Sequence, residues 1–142
     1  MKILVLNGPN MQLLGLREPD IYGRTTYAEL VQRLQTYGSQ LDCQIDCVQS
    51  NHEGELVDAI AGAVGNYDGI VINPAAYSHT SLAIHDALKA VGIPAVEVHV
   101  SHVFSREEIR SRLVTAPACR GMIAGLGLDG YELAIRALCK RV

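Results

Sequence analysis

Five short apolar runs alternate with five amphipathic stretches along the chain. Lys2–Leu6 is a continuous apolar run, the pattern of a strand covered on both faces. A polar loop containing Gly and Pro follows from Asn7 to Thr25. Thr26, with Glu29 three residues on, forms a capping box, and Leu30, Val31, Leu34 and Leu41 give the apolar stripe of the helix it starts. Gln44–Val48 reads as the second strand and Leu56–Val64 as the core of the second helix. Gly69–Ile72 is the third strand, stopped by Pro74, and Ser81–Val91 the third helix, ended by Gly92-Ile93-Pro94. Ala95–Val100 is the fourth strand. Ser105 is expected to cap a short helix with Glu107 and Glu108 in its first turn, where the helix dipole favours acids. Gly121–Ala124 is the fifth strand and Leu128–Cys139 the last helix, with Lys140 and Arg141 at its C-terminal end.

Strands alternating with helices predict an α/β fold with a parallel sheet, right-handed crossovers and helices on both faces. Five such units in 142 residues fit a flavodoxin-like doubly wound sheet of five parallel strands, expected as a single domain over 1–142. No repeat, low-complexity tract or linker divides it. In this architecture ligands bind beyond the carboxyl ends of the strands.

Apolar residues make up 49% of the chain and charged residues 19%, a globular composition. The apolar runs are strand-sized, which excludes a membrane helix of ~20 apolar residues. The run after Met1 and Lys2 is too short for a signal-peptide core and has no small-residue cleavage pattern, so a cytoplasmic protein is expected. Fifteen acids against twelve bases give a formal charge of −3, and without a basic stripe nucleic acid is not an expected partner. Cys43, Cys47, Cys119 and Cys139 form no C-x-x-C pair and no metal-ligand spacing. Cys43 and Cys47 fall on one face of an apolar stretch, as buried free thiols suited to a reducing compartment.

The strand ends collect Asn10, Arg17, Tyr22, Asn73, His79, Glu97, His99, Ser101 and Arg110. Taken singly, each has a structural alternative: a strand-end Asn caps a turn, an Arg is a solvated charge, Tyr22 anchors a loop by its ring. Together they converge where this architecture binds small molecules. Glu97 and His99 alternate in a strand and so share a face. A carboxylate beside an imidazole orients it and favours its protonated form, which suits a general acid. Arg17 and Tyr22 share the long first loop, with Gly15 and Gly23 as hinges of a lid at about 8–25. Tyrosine is a poor base at its ordinary pKa of about 10, but a guanidinium beside it favours the phenolate. Arg17 or another arginine of the site could supply that charge. Neither G-x-x-x-x-G-K-[ST] nor G-x-G-x-x-G occurs, and no acceptor Asp stands at the ends of the first and third strands.

Five ordered motifs stand at these positions. They are Asn7-Gly8-Pro9-Asn10 with Leu13-Leu14-Gly15, Arg17-Glu18-Pro19 and Tyr22-Gly23; Gln49-Ser50-Asn51 with Glu53-Gly54; Asn73-Pro74 with Ala76-Tyr77 and His79-Thr80-Ser81; Glu97-Val98-His99 with Ser101 and Arg106-Glu107; and Gly125-Leu126-Gly127 with Gly130-Tyr131. In them the chain resembles type II 3-dehydroquinate dehydratase over essentially its full length. The resemblance implies trans-elimination of water from 3-dehydroquinate through an enolate, giving 3-dehydroshikimate without metal, cofactor or Schiff base. The only lysines, Lys2, Lys89 and Lys140, lie away from the strand ends, in keeping with a lysine-free route.

By resemblance, Tyr22 is the base and Arg17 on the lid keeps it ionised. Asn10 positions a water at the enolate oxygen. His99 protonates the departing C1 hydroxyl, oriented by Glu97. Asn73, His79, Ser101, Arg110 and the Val100 backbone bind the substrate's hydroxyls and carboxylate, and Asp86 reaches a neighbouring subunit's site. The family's assembly implies a homo-dodecamer, a tetramer of trimers. The step serves shikimate biosynthesis or quinate breakdown. The chain departs from the commoner pattern at Met11-Gln12, Ala75, Ser78, His102, Phe104 and Arg112-Leu113, none of them an expected chemical residue. Two other classes compete: a module that binds a polyhydroxy acid without turnover, and a nucleotide-dependent switch, which the missing phosphate loop disfavours.

Overall fold

A computed structural model describes residues 1–140. Its strands are β1 (Lys2–Asn7), β2 (Gln44–Gln49), β3 (Gly69–Asn73), β4 (Ala95–His99) and β5 (Gly121–Ala124). They form one parallel sheet in the order β2-β1-β3-β4-β5. The order reverses at β1, which lies between β2 and β3, and Asn7 and Asn73 are register partners across that switch point. The helices are α1 (Pro19–Tyr22), α2 (Tyr27–Gln40), α3 (Glu53–Gly62), α4 (Leu82–Val91) and α5 (Asp129–Cys139).

Alternation along the strands sorts two cores. Ile3, Val5, Val71, Val96 and Val98 face α2 and α5, meeting Leu30, Leu34, Ala134, Ile135 and Leu138. Leu4, Leu6, Ile70 and Ile72 face α3 and α4, meeting Leu56, Ile60, Ile84 and Leu88. Both faces of the sheet are therefore covered, as the continuous apolar strands require. A Cβ at Gly130 would come within 3.3 Å of Val98 and 3.4 Å of Ile123, so glycine lets the first turn of α5 lie against the sheet.

The helix starts follow the capping residues. Thr26 Oγ1 accepts from the Glu29 amide at 3.2 Å, and Ser81 Oγ from the Ile84 amide at 2.9 Å. The helix α3 begins three residues before Leu56, with Glu53 and Glu55 in its first turn where the dipole favours them. The expected helix capped by Ser105 does not form. Instead, 3-10 turns span Val103–Ser105 and Glu108–Ser111, with Arg106 extended between them. That extension carries the Arg106 side chain back to Ser101 and Tyr22 rather than along a helix.

The first loop is not structureless either: a 3-10 turn covers Met11–Leu13 and α1 forms a single turn with Pro19 at its start. Gly15 has φ +89°, and a Cβ there would meet the Arg24 carbonyl oxygen at 2.8 Å, so only glycine closes the base of this loop. Cys43 and Cys47 pack on the same core cluster. Burial pushes the Cys47 and Cys119 thiols up to about 12. Arg141, expected at the end of the last helix, lies outside the described residues.

Candidate active site

A cleft of about 70 Å³ opens beyond the ends of β1, β3 and β4. Asn10, Arg17 and Tyr22 of the first loop, Asn73, Ala75 and His79 after β3, and His99, Val100, Ser101, Arg106 and Arg110 from β4 onward line it. Its volume is below the ~300 Å³ lower end of small-molecule sites. A hollow of about 500 Å³ beside β5 and α5 is larger, but it holds no acid–base pair, lined as it is by Met122, Ile123, Leu133 and their neighbours with Arg120, Arg136 and Lys140. None of the three lysines lines the small cleft.

On one wall, Tyr22 ends α1 half-buried. Arg106 Nη1 donates to its hydroxyl oxygen at 2.9 Å, and the Arg17 guanidinium carbon stands 5.2 Å from its ring centroid. Two cations thus flank the phenol, Arg106 bonded to its oxygen and Arg17 standing over its ring. Arg106 also lies 3.4 Å from Ser101 Oγ and 3.9 Å from Glu18 Oε2. The sequence motif contained Arg106 but did not assign it to the site; its contact with Tyr22 crosses 84 residues and has no local signal.

A second wall carries the buried pair that strand alternation predicts. His99 Nε2 is 2.7 Å from Glu97 Oε2, and Glu97 is fully buried. The other carboxylate oxygen accepts from the Thr115 hydroxyl. Both oxygens of Glu97 are therefore engaged, which fixes the imidazole and leaves Nδ1 as its nitrogen not bound to Glu97. Thr115, buried after β4 and remote in sequence, is a supporting residue that no motif flagged.

Asn73 is held by both ends of its amide. Its Oδ1 accepts from the Ala75 amide at 3.1 Å and its Nδ2 donates to the Tyr131 hydroxyl at 2.9 Å. Ala75 adopts φ 53°, where non-glycine residues are uncommon. His79 Nδ1 is 2.8 Å from the Arg112 carbonyl oxygen, and the His79 and His99 rings stack with centroids 6.5 Å apart. The departure at Arg112 leaves this bond available because it uses the backbone. Arg110 Nε donates to Glu107 Oε2 at 2.7 Å. Asn10, in the left-handed region at φ 70°, is exposed on the rim, its amide donating to Asn51 Oδ1 at 3.0 Å. Gln12 accepts from Gln49 Nε2 at 3.0 Å, tying the loop to β2.

Ten of the eleven expected residues gather here: nine line the cleft and Glu97 stands directly behind His99. Asp86 does not; it is exposed on α4, outside this chain's own cleft. Chemically, the cleft offers a phenol held by a guanidinium, an imidazole held by a buried carboxylate, and arginine and amide donors for an anionic, hydroxylated ligand.

Comparison with known proteins is consistent along the chain. Residues 1–139 match the family described as Dehydroquinase class II. A 3-dehydroquinate dehydratase of Caldicellulosiruptor saccharolyticus is 54% identical over 138 residues, covering 96% of this chain and 95% of the relative. One of Clostridium acetobutylicum is 51% identical over 138 residues, covering 97% and 96%. The crystal structure of type II dehydroquinase from Butyrivibrio crossotus gives a TM-score of 0.97 at 51% identity, covering 99% of this chain and 98% of that one. A 3-dehydroquinate dehydratase-like protein of Bifidobacterium longum gives 0.72 at 29% identity, covering 98% and 95%.

Proposed function

The chain belongs to the class II dehydroquinase family, and on that premise we propose how its cleft converts 3-dehydroquinate to 3-dehydroshikimate. As a member it is a hydro-lyase acting on a small molecule, a 3-dehydroquinate dehydratase. The substrate's C2 hydrogen lies beside the C3 ketone, so its removal leaves an enolate. Tyr22, as phenolate, takes that proton, with Arg106 holding its oxygen and Arg17 on the lid adding positive charge at its ring face. Asn10 positions a water that donates to the enolate oxygen. His99 then gives a proton to the C1 hydroxyl, which leaves as water, while Glu97 holds the imidazolium. Asn73, His79, Ser101, Arg110 and the Val100 backbone bind the hydroxyls and carboxylate.

The observation that carries this reading is the pairing of Arg106 with Tyr22 at 2.9 Å in the same cleft as His99 with Glu97 at 2.7 Å. A base and an acid, each with its own charged partner, are what a trans-elimination requires. The small volume of the cleft supports a lid at about 8–25, within a single catalytic domain over 1–142, that must open to admit substrate. The exposure of Asp86 on α4 supports its use at a neighbouring subunit's site, in a dodecamer built of trimers. No described helix is long and apolar enough to cross a membrane. A cytoplasmic enzyme of the shikimate pathway is the reading adopted, with quinate breakdown as the other use of the same step.

The test is direct. The purified protein, mixed with 3-dehydroquinate in chelator and without added cofactor, should show the ultraviolet rise of a conjugated enone. Tyr22→Phe should abolish most of that rise while substrate still binds. Binding without any rise in the wild-type protein would instead leave a polyhydroxy-acid binding module.

A further inference from the structure

Tyr131 enters the molecule from the first turn of α5 and is fully buried between the ends of β1 and β3. Its hydroxyl donates to Asn7 Oδ1 at 2.5 Å and accepts from Asn73 Nδ2 at 2.9 Å. A tyrosine hydroxyl has one hydrogen. With that hydrogen given to Asn7, the oxygen can only accept on the Asn73 side. At the other end of the same amide, Asn73 Oδ1 accepts from the Ala75 N–H at 3.1 Å. A flip of the Asn73 amide would therefore set oxygen against oxygen at Tyr131 and N–H against N–H at Ala75, leaving buried groups unpaired. Burial keeps the Tyr131 phenol protonated by pushing its pKa well up.

One N–H of Asn73 remains. It points to Met11 Sδ at 3.6 Å, a weak thioether acceptor on the wall of the cleft. An entering carboxylate or hydroxyl oxygen replaces that contact at little cost.

We propose that Tyr131 is a positioning residue for substrate binding, orienting the Asn73 carboxamide so that its second N–H is presented to an oxygen of an anionic, hydroxylated ligand. The inference rests on the reading of Asn73 as a substrate-binding residue. It concerns a side chain that never touches the substrate itself.

The test is a double-mutant cycle on the full chain with 3-dehydroquinate, read as KM and kcat separately. Tyr131→Phe should raise KM about tenfold while kcat stays within about threefold, the loss expected when one hydrogen bond to a charged group is misdirected. In an Asn73→Ala background, which itself raises KM, the same substitution should change KM no further. An unchanged KM in Tyr131→Phe, with Asn73→Ala raised, overturns the proposal and leaves Tyr131 a structural residue. Multiplying effects in the double variant overturn it as well. A wild-type KM in Asn73→Ala overturns the reading of Asn73 and the proposal together. Should Tyr131→Phe fail to fold, Asn7→Ala keeps the phenol but frees its proton to turn toward Asn73; KM should again rise, and an unchanged KM overturns the proposal.

Discussion

Arg106 Nη1 donates to the Tyr22 hydroxyl at 2.9 Å across 84 positions of sequence, joining the segment after β4 to the one-turn helix α1. Arg17 approaches the same ring from its own loop, but over the ring and not at the oxygen, with its guanidinium carbon 5.2 Å from the centroid. The two arginines are therefore not equivalent. Arg106 meets the phenol oxygen directly, and Arg17 meets only the face of the ring.

Arg106→Ala should lower kcat by about 10²-fold or more, the range of a general base that has lost its support. Arg106→Lys should recover part of that loss, since lysine restores charge without the planar fork. Steady-state kinetics checks both. Near-normal turnover in Arg106→Ala would assign the charge at Tyr22 to Arg17 instead.

Ala75 holds φ 53° just after Asn73-Pro74. A left-handed conformation costs a non-glycine residue roughly 1–2 kcal/mol. Ala75→Gly relieves that strain but frees the unfolded chain by about 0.4–1 kcal/mol. The balance predicts a gain of up to about 1.6 kcal/mol and a modest rise in Tm by thermal unfolding. A fall in Tm would mean that the methyl packs against the cleft wall more strongly than its backbone is strained.

Asp46 of β2 gives a pH dependence remote from the chemistry. The Tyr67 hydroxyl donates to its Oδ2 at 2.7 Å, Gln44 donates to its Oδ1, and Lys2 Nζ lies 3.6 Å away. Together these hold the Asp46 carboxyl below the usual carboxylate range, with the Tyr67 bond the largest cause. A depressed carboxyl stabilises the fold above its unfolded value and stops doing so as pH falls through its folded one. Wild type should thus exceed Asp46→Asn in stability at pH 7, by under about 1 kcal/mol for so exposed a cluster, with the gap closing below about pH 4. The same bond pushes the Tyr67 phenol up to about 12, so its contribution is lost only as pH rises from about 10 toward that value. Denaturant unfolding at several pH values checks it, and a gap that widened in acid would refute the assignment.

Much of this molecule is legible before folding. The capping oxygens of Thr26 and Ser81, the terminal Gly92-Ile93-Pro94 and the continuous apolar strands act within a few residues, so local chemistry suffices to place them. The Glu97–His99 pair is readable for the same reason: a strand puts residues two apart on one face, and the imidazole meets the carboxylate at 2.7 Å. The segment around Ser105 carries a local helical signal, but its conformation is set by distant partners. Arg106 is extended there to reach Tyr22 and Ser101.

The order of strands and helices, the parallel sheet and the edge on which polar residues collect are thus written in local pattern. These follow from periodicities of two and 3.6 and from caps a few positions away. Which donor meets which acceptor at that edge depends on long-range packing. Tyr131 bonds to Asn7 across 124 positions and to Asn73 across 58, and Thr115 bonds to Glu97 across 18. No pattern of spacing encodes such pairs. They exist because the packed sheet brings strand ends together out of water, where an unpaired polar group is costly.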